Sequence, residues 1–95
     1  MDYREILEPE TFAVFDRLRA WRKEQAAGEG LAPYVILTNE QLAAIARLDE
    51  ISLAALGRID GIGEARLQKY GAAVLAVCRE HQQSAGQGGE ANHGA

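Results

Sequence analysis

Cysteine is nearly absent: Cys78 stands alone in the chain. An internal disulfide framework and a cysteine-based zinc site are thereby excluded. No apolar run is long enough to span a bilayer. The start, Met1-Asp2-Tyr3, does not read as a signal peptide, and the expected compartment is the cytoplasm. There is no GKS/T phosphate loop, so the chain is not expected to be a nucleotide-hydrolysing motor. His81 and His93 have no cysteine or carboxylate at a metal-ligand or nucleophile spacing. His81 instead suits the negative end of a helix. Neither a metal, a cofactor nor a catalytic constellation is expected, and the protein is read as a non-enzyme.

Strong net charge is also lacking where it would matter. The total is −4, but it is unevenly spread. Residues 1–11 hold Asp2, Glu5, Glu8 and Glu10 against Arg4 alone, forming an acidic arm. From Phe12 to Arg79, nine basic residues face eight acidic ones, a balance of +1. Such a body permits a local basic patch but not a strong polyanion binder.

What is present is a 47% hydrophobic chain of 95 residues, enough for one domain with one modest core. Pro9 fits a helix start, and Phe12, Val14, Phe15, Leu18 and Trp21 fall on one half of a helical wheel. Gly28 is the expected stop. Arg22 lies inside that apolar arc, which suggests a snorkelling stem or an acidic partner near the helix end. The run Leu31 to Leu37 looks strand-like, yet no second strand exists to pair with it. It is read as an extended, buried linker that can hold one short turn. Thr38-Asn39-Glu40-Gln41 is a capping box for the next helix, and Ser52 caps another. A last helix is expected from about Glu64 to His81, with Leu67, Tyr70, Gly71, Val74, Leu75, Val77 and Cys78 on one face. Gly71 there suggests close approach of a neighbouring backbone. Residues 82–95 lack any large apolar side chain and are expected to be a disordered tail.

The centre of the pattern is Ile59-Asp60-Gly61-Ile62-Gly63, a tight turn between two helical stretches. Its backbone N–H groups precede a helix start, where a phosphate is favoured by the dipole. The same turn is also an ordinary way to join two packed helices. Arg66 and Lys69 follow it.

Three blocks in order resemble the HRDC domain, the helicase-and-RNase-D C-terminal module. They are Phe15-Asp16-Arg17-Leu18-Arg19-Ala20-Trp21-Arg22; Pro33-Tyr34-Val35-Ile36-Leu37-Thr38-Asn39 with Leu42 and Ile45-Ala46; and Ile59-Asp60-Gly61-Ile62-Gly63 with Leu67 and Tyr70-Gly71. The resemblance covers about residues 12–81. It implies an all-α bundle of about five helices with a helix–hairpin–helix-like turn. It implies an accessory role in RecQ-type helicases, RNase D or stand-alone HRDC proteins, as a weak binder of single-stranded or structured DNA. At the position of Tyr34, some RecQ-type members use a tyrosine to contact a single strand. The expected nucleic-acid-binding residues are Tyr34, Gly61, Gly63, Arg66 and Lys69, in a monomer that binds no membrane. A second reading is a docking module for a helicase or nuclease partner or parent domain. It rests on the acidic balance and on the alanine-rich outer face of the last helix (Ala65, Ala72, Ala73, Ala76).

Overall fold

The computed structural model describes residues 2–94, with side chains over 2–84. Helix α1 (Tyr3–Ile6) starts at Asp2, whose Oδ1 accepts the Arg4 backbone N–H at 3.0 Å. Helix α2 (Pro9–Glu29) begins with proline in its first turn, where the missing N–H costs nothing. It ends at Glu29, one residue beyond Gly28, with Gly30 as its cap. Gly30 takes a left-handed φ of 70°, its N–H bonds back to Ala27 O, and Leu31 N–H reaches Ala26 O at 2.9 Å. That Schellman geometry requires the positive φ, which Gly30 has and Gly28 lacks.

The expected linker closes into one short helical turn. Helix α3 (Pro33–Ile36) has proline at its start, and Leu37 N–H closes it on Pro33 O. The strand-like composition is overridden because no neighbouring strand is there to take the backbone hydrogen bonds. Of this segment, only Ile36 and Leu37 are buried; Tyr34 and Val35 face outward.

Helix α4 (Asn39–Ala46) carries the full capping box: Gln41 N–H donates to Thr38 Oγ1, and Thr38 N–H to Gln41 Oε1. Helix α5 (Leu53–Gly57) is capped by Ser52, which accepts from Ala55 N–H. Helix α6 starts at Glu64 and continues to Gly94. It runs past His81, where the last helix was expected to end. His81 is therefore not a helix-end cation. Among the described residues there are six helices and no strand, and the fold is the expected all-α bundle.

The core is built by Phe15 and Leu18 of α2, Ile36 and Leu37, Leu42 and Ile45 of α4, Leu56 of α5, and Tyr70, Val74, Leu75 and Cys78 of α6. Burial raises the Cys78 thiol pKa, leaving an inert thiol. The acidic arm is part of this core. Leu7 is buried, and Tyr3 stacks on Phe15 at 4.8 Å. Gly71 does face a close neighbour, but it is the Leu53 side chain rather than a backbone: a Cβ on Gly71 would meet Leu53 Cδ2 at 2.7 Å.

Candidate nucleic-acid interface

The turn joining α5 to α6 is fixed from inside and outside. Ile62, between the two glycines, is buried and anchors it. Gly61 has φ 85°, while Gly63 has no positive φ. Gly61 must be glycine for a second reason: a Cβ there would run into the side-chain amide of Gln41. The buried Gln41 also extends Nε2 towards Asp60 O at 3.4 Å, so the α4 cap touches the hairpin.

Arg66 then ties the hairpin to α3. Its Nη1 donates to Gly61 O at 3.0 Å and its Nη2 to Val35 O at 3.3 Å. Arg22 Nη1 donates to Leu37 O at 2.9 Å. The partner of Arg22 is thus a helix-end carbonyl, not an acid. Burial first, and then the nearby Arg19, lower its pKa from the ordinary value. Arg66 thus holds the Val35 carbonyl within α3 and Arg22 the Leu37 carbonyl that caps it, and only Arg66 spans two carbonyls with its planar fork. Tyr34, just before the Val35 carbonyl, has 68% of its surface exposed. Leu31 and Val35 are also exposed beside it in sequence.

Lys69 lies one turn further along α6, and its charge is engaged. Its Nζ donates to Glu29 Oε1 at 2.7 Å. Tyr70 Oη donates to the same carboxylate at 2.9 Å, and Gln25 Nε2 donates to it at 2.8 Å. These bonds, from Lys69 first and then Gln25 and Tyr70, hold the Glu29 carboxyl down at about 2. Reciprocally, Glu29 raises the Lys69 pKa. The cluster pins the C-terminal turn of α2 to α6.

Of the five residues expected here, Arg66 and Gly61 are joined directly, and Arg66 also reaches Val35, the chain neighbour of Tyr34. Gly63 sits at the start of α6, its carbonyl accepting Leu67 N–H at 3.0 Å. Lys69 is turned to Glu29. Asp60 and Glu64 flank the hairpin, so the positive start of α6 is partly offset by their carboxylates. Glu29, Gln41 and Arg22 were not expected to shape this surface. Only the capping box hinted at Gln41; Glu29 and Lys69 are 40 positions apart, with no local signal linking them.

A different surface lies between α2 and α6. Arg17, Ala20, Trp21, Glu24, Ala73, Ala76, Val77 and Glu80 line an open groove of about 480 Å³. Trp21 is half-buried at its floor, edge-on to Tyr70. Among the described residues, no group of His, Cys, Asp and Glu is arranged to hold a metal ion, and no helix is long and apolar enough to cross a membrane.

No curated protein and no solved structure matches the chain. The HRDC domain, an auxiliary, non-catalytic module of helicases and nucleases, matches residues 11–78. That span takes in α2 through most of the packed part of α6 and contains Tyr34, the hairpin and Arg66. The chain belongs to the HRDC domain family.

Proposed function

We propose that this domain is an accessory nucleic-acid-binding module that binds single-stranded or structured DNA weakly and assists a helicase or nuclease. The observation that carries the reading is Tyr34: a large aromatic ring, 68% exposed, on a short helix tied down by Arg66 at Val35 O and by Arg22 at the capping Leu37 O. An exposed ring on a rigid mount loses little entropy when a base stacks on it, and such stacking contributes roughly 1–3 kcal/mol per base. Arg66 keeps guanidinium N–H groups beside its two carbonyl bonds for a phosphate. Lys69 contributes little while Glu29 neutralises it, which fits weak binding. Affinities from tens of micromolar to millimolar are expected on a body so close to neutral.

The docking reading is favoured by one specific observation, the α2–α6 groove, whose Trp21, Ala73, Ala76 and Val77 lining is the kind of surface a partner helix fills. The two readings separate in an NMR titration with a short oligothymidine. Shifts centred on Tyr34, Val35, Gly61 and Arg66 support the nucleic-acid reading. Shifts absent there, but appearing around Trp21 and Val77 on adding a helicase or nuclease partner, support docking.

A further inference from the structure

The arm holds a feature that neither Tyr34 nor the hairpin uses. Asp2, Tyr3, Arg4, Phe12, Arg19 and Asn39 line an open cavity of about 320 Å³ at the meeting of α1, α2 and α4. Two guanidiniums converge there on one ring: Arg4 Cζ lies 5.2 Å and Arg19 Cζ 5.7 Å from the Phe12 centroid. Arg19 Cζ is also 5.1 Å from the Phe15 centroid. Stacking on aromatic faces orients guanidinium planes and leaves their N–H edges to other partners. Those edges are mostly uncommitted. Arg4 has no carboxylate within ion-pair distance among the described residues. Arg19 gives Nη2 to Asp16 Oδ1, one contact from a group with five donors. Asp2 turns its Oδ1 to the Arg4 backbone N–H, as the cap of α1. Two cations drawn to one ring repel each other. An anion with several acceptor oxygens between them replaces that repulsion with charge-assisted hydrogen bonds.

We propose that this cavity binds a phosphate-class anion between the Arg4 and Arg19 guanidiniums, with the Asn39 amide as a neutral donor on its wall. Asp2 and Asp16 balance the two arginines in formal charge, so binding is weak and favours an anion that reaches both guanidiniums. The same chemistry suits a free phosphate or the terminal phosphate of a nucleic-acid strand, and the site does not depend on Tyr34.

The test is an NMR titration of the full chain with inorganic phosphate, beside a sodium chloride titration at equal ionic strength. Oligothymidines with 5′-phosphate and 5′-hydroxyl ends form the second arm. Phosphate is expected to shift the Arg4 and Arg19 Nε–H and Asn39 side-chain signals saturably, and chloride is not. Arg4→Gln with Arg19→Gln abolishes the shifts, whereas Asp16→Asn tightens binding by about threefold or more by freeing Arg19. Tyr34→Ala leaves the shifts intact, so loss of strand stacking reads separately from loss of this site. A gain from the 5′-phosphate assigns the site to strand ends; equal binding of both oligonucleotides assigns it to free phosphate. Shifts no larger than those with chloride overturn the proposal. If the paired arginine variant fails to fold, Asp16→Asn, which removes only an exposed ion pair, decides: no tightening overturns it.

Discussion

Gly61 packs its Cα face against the side-chain amide of Gln41, leaving no room for a Cβ, and does so at φ 85°. Both facts oppose any other residue. Gly61→Ala is expected to destabilise the domain by more than about 1 kcal/mol, through strain at positive φ and displacement of Gln41 from its cap. Gly63 has open space and no positive φ, so Gly63→Ala costs less. Thermal melts of the two variants check this, with Gly61→Ala the lower. Equal melting temperatures would show that the turn is unstrained.

Gly71 poses the opposite balance. A Cβ there meets Leu53 Cδ2, the mobile end of a side chain that is 51% exposed. Alanine gains about 1 kcal/mol of helix propensity, and Leu53 has room to swing outward. Gly71→Ala alone is expected to be near neutral. In a Leu53→Ala background the same substitution stabilises by about the full propensity gain. Chemical denaturation of the four proteins measures the coupling, and strict additivity would contradict the contact.

Glu29 sets an acid limit. Its folded pKa, about 2, lies below the ordinary 4.5, because Lys69, Gln25 and Tyr70 stabilise the carboxylate. The folded state therefore binds a proton less readily than the unfolded chain. The stabilisation is complete above about 4.5 and lost as pH falls from there through about 2. Urea midpoints of the parent and Glu29→Gln, taken from neutral pH downward, are expected to differ most at neutral pH and to converge in acid. A gap that widens on acidification would reverse the assigned sign.

The arm matters although the family match begins at residue 11. Leu7 is 4% exposed, and Tyr3 stacks on Phe15. Leu7→Ala is expected to cost roughly 2–3 kcal/mol, within the range for a buried leucine. A chain starting at Phe12 should melt well below the parent. Unchanged melting of both would place the arm outside the core.

The local features were legible in the sequence because their signals are local. Thr38 with Gln41, Ser52, the buried Ile62 between two glycines and the apolar face of α6 each declare themselves within a few positions. Two details depend on tertiary partners that composition does not show. Pro33 to Leu37 carries strand-like residues, but Pro33 also suits a helix start, and with no strand beside it the chain closes a turn. Gly28 and Gly30 look alike in sequence; the one placed to let Leu31 bond back to Ala26 became the stop. The site's mount was not legible. Arg66 reaches Val35 across 31 positions and Lys69 reaches Glu29 across 40, and helical periodicity carries no information over such distances.

The most direct test of the central claim is fluorescence anisotropy of a labelled oligothymidine at low salt, for the parent and Tyr34→Ala, with a melting curve for each. Tyr34 is exposed, so its loss should leave the melting temperature unchanged while weakening binding by about fivefold or more. The parent's salt dependence should be shallow, with a slope of about −0.7 for each phosphate neutralised. A Tyr34→Ala protein that stays folded and binds as well as the parent, or a parent that shows no binding at millimolar concentration, would contradict the account.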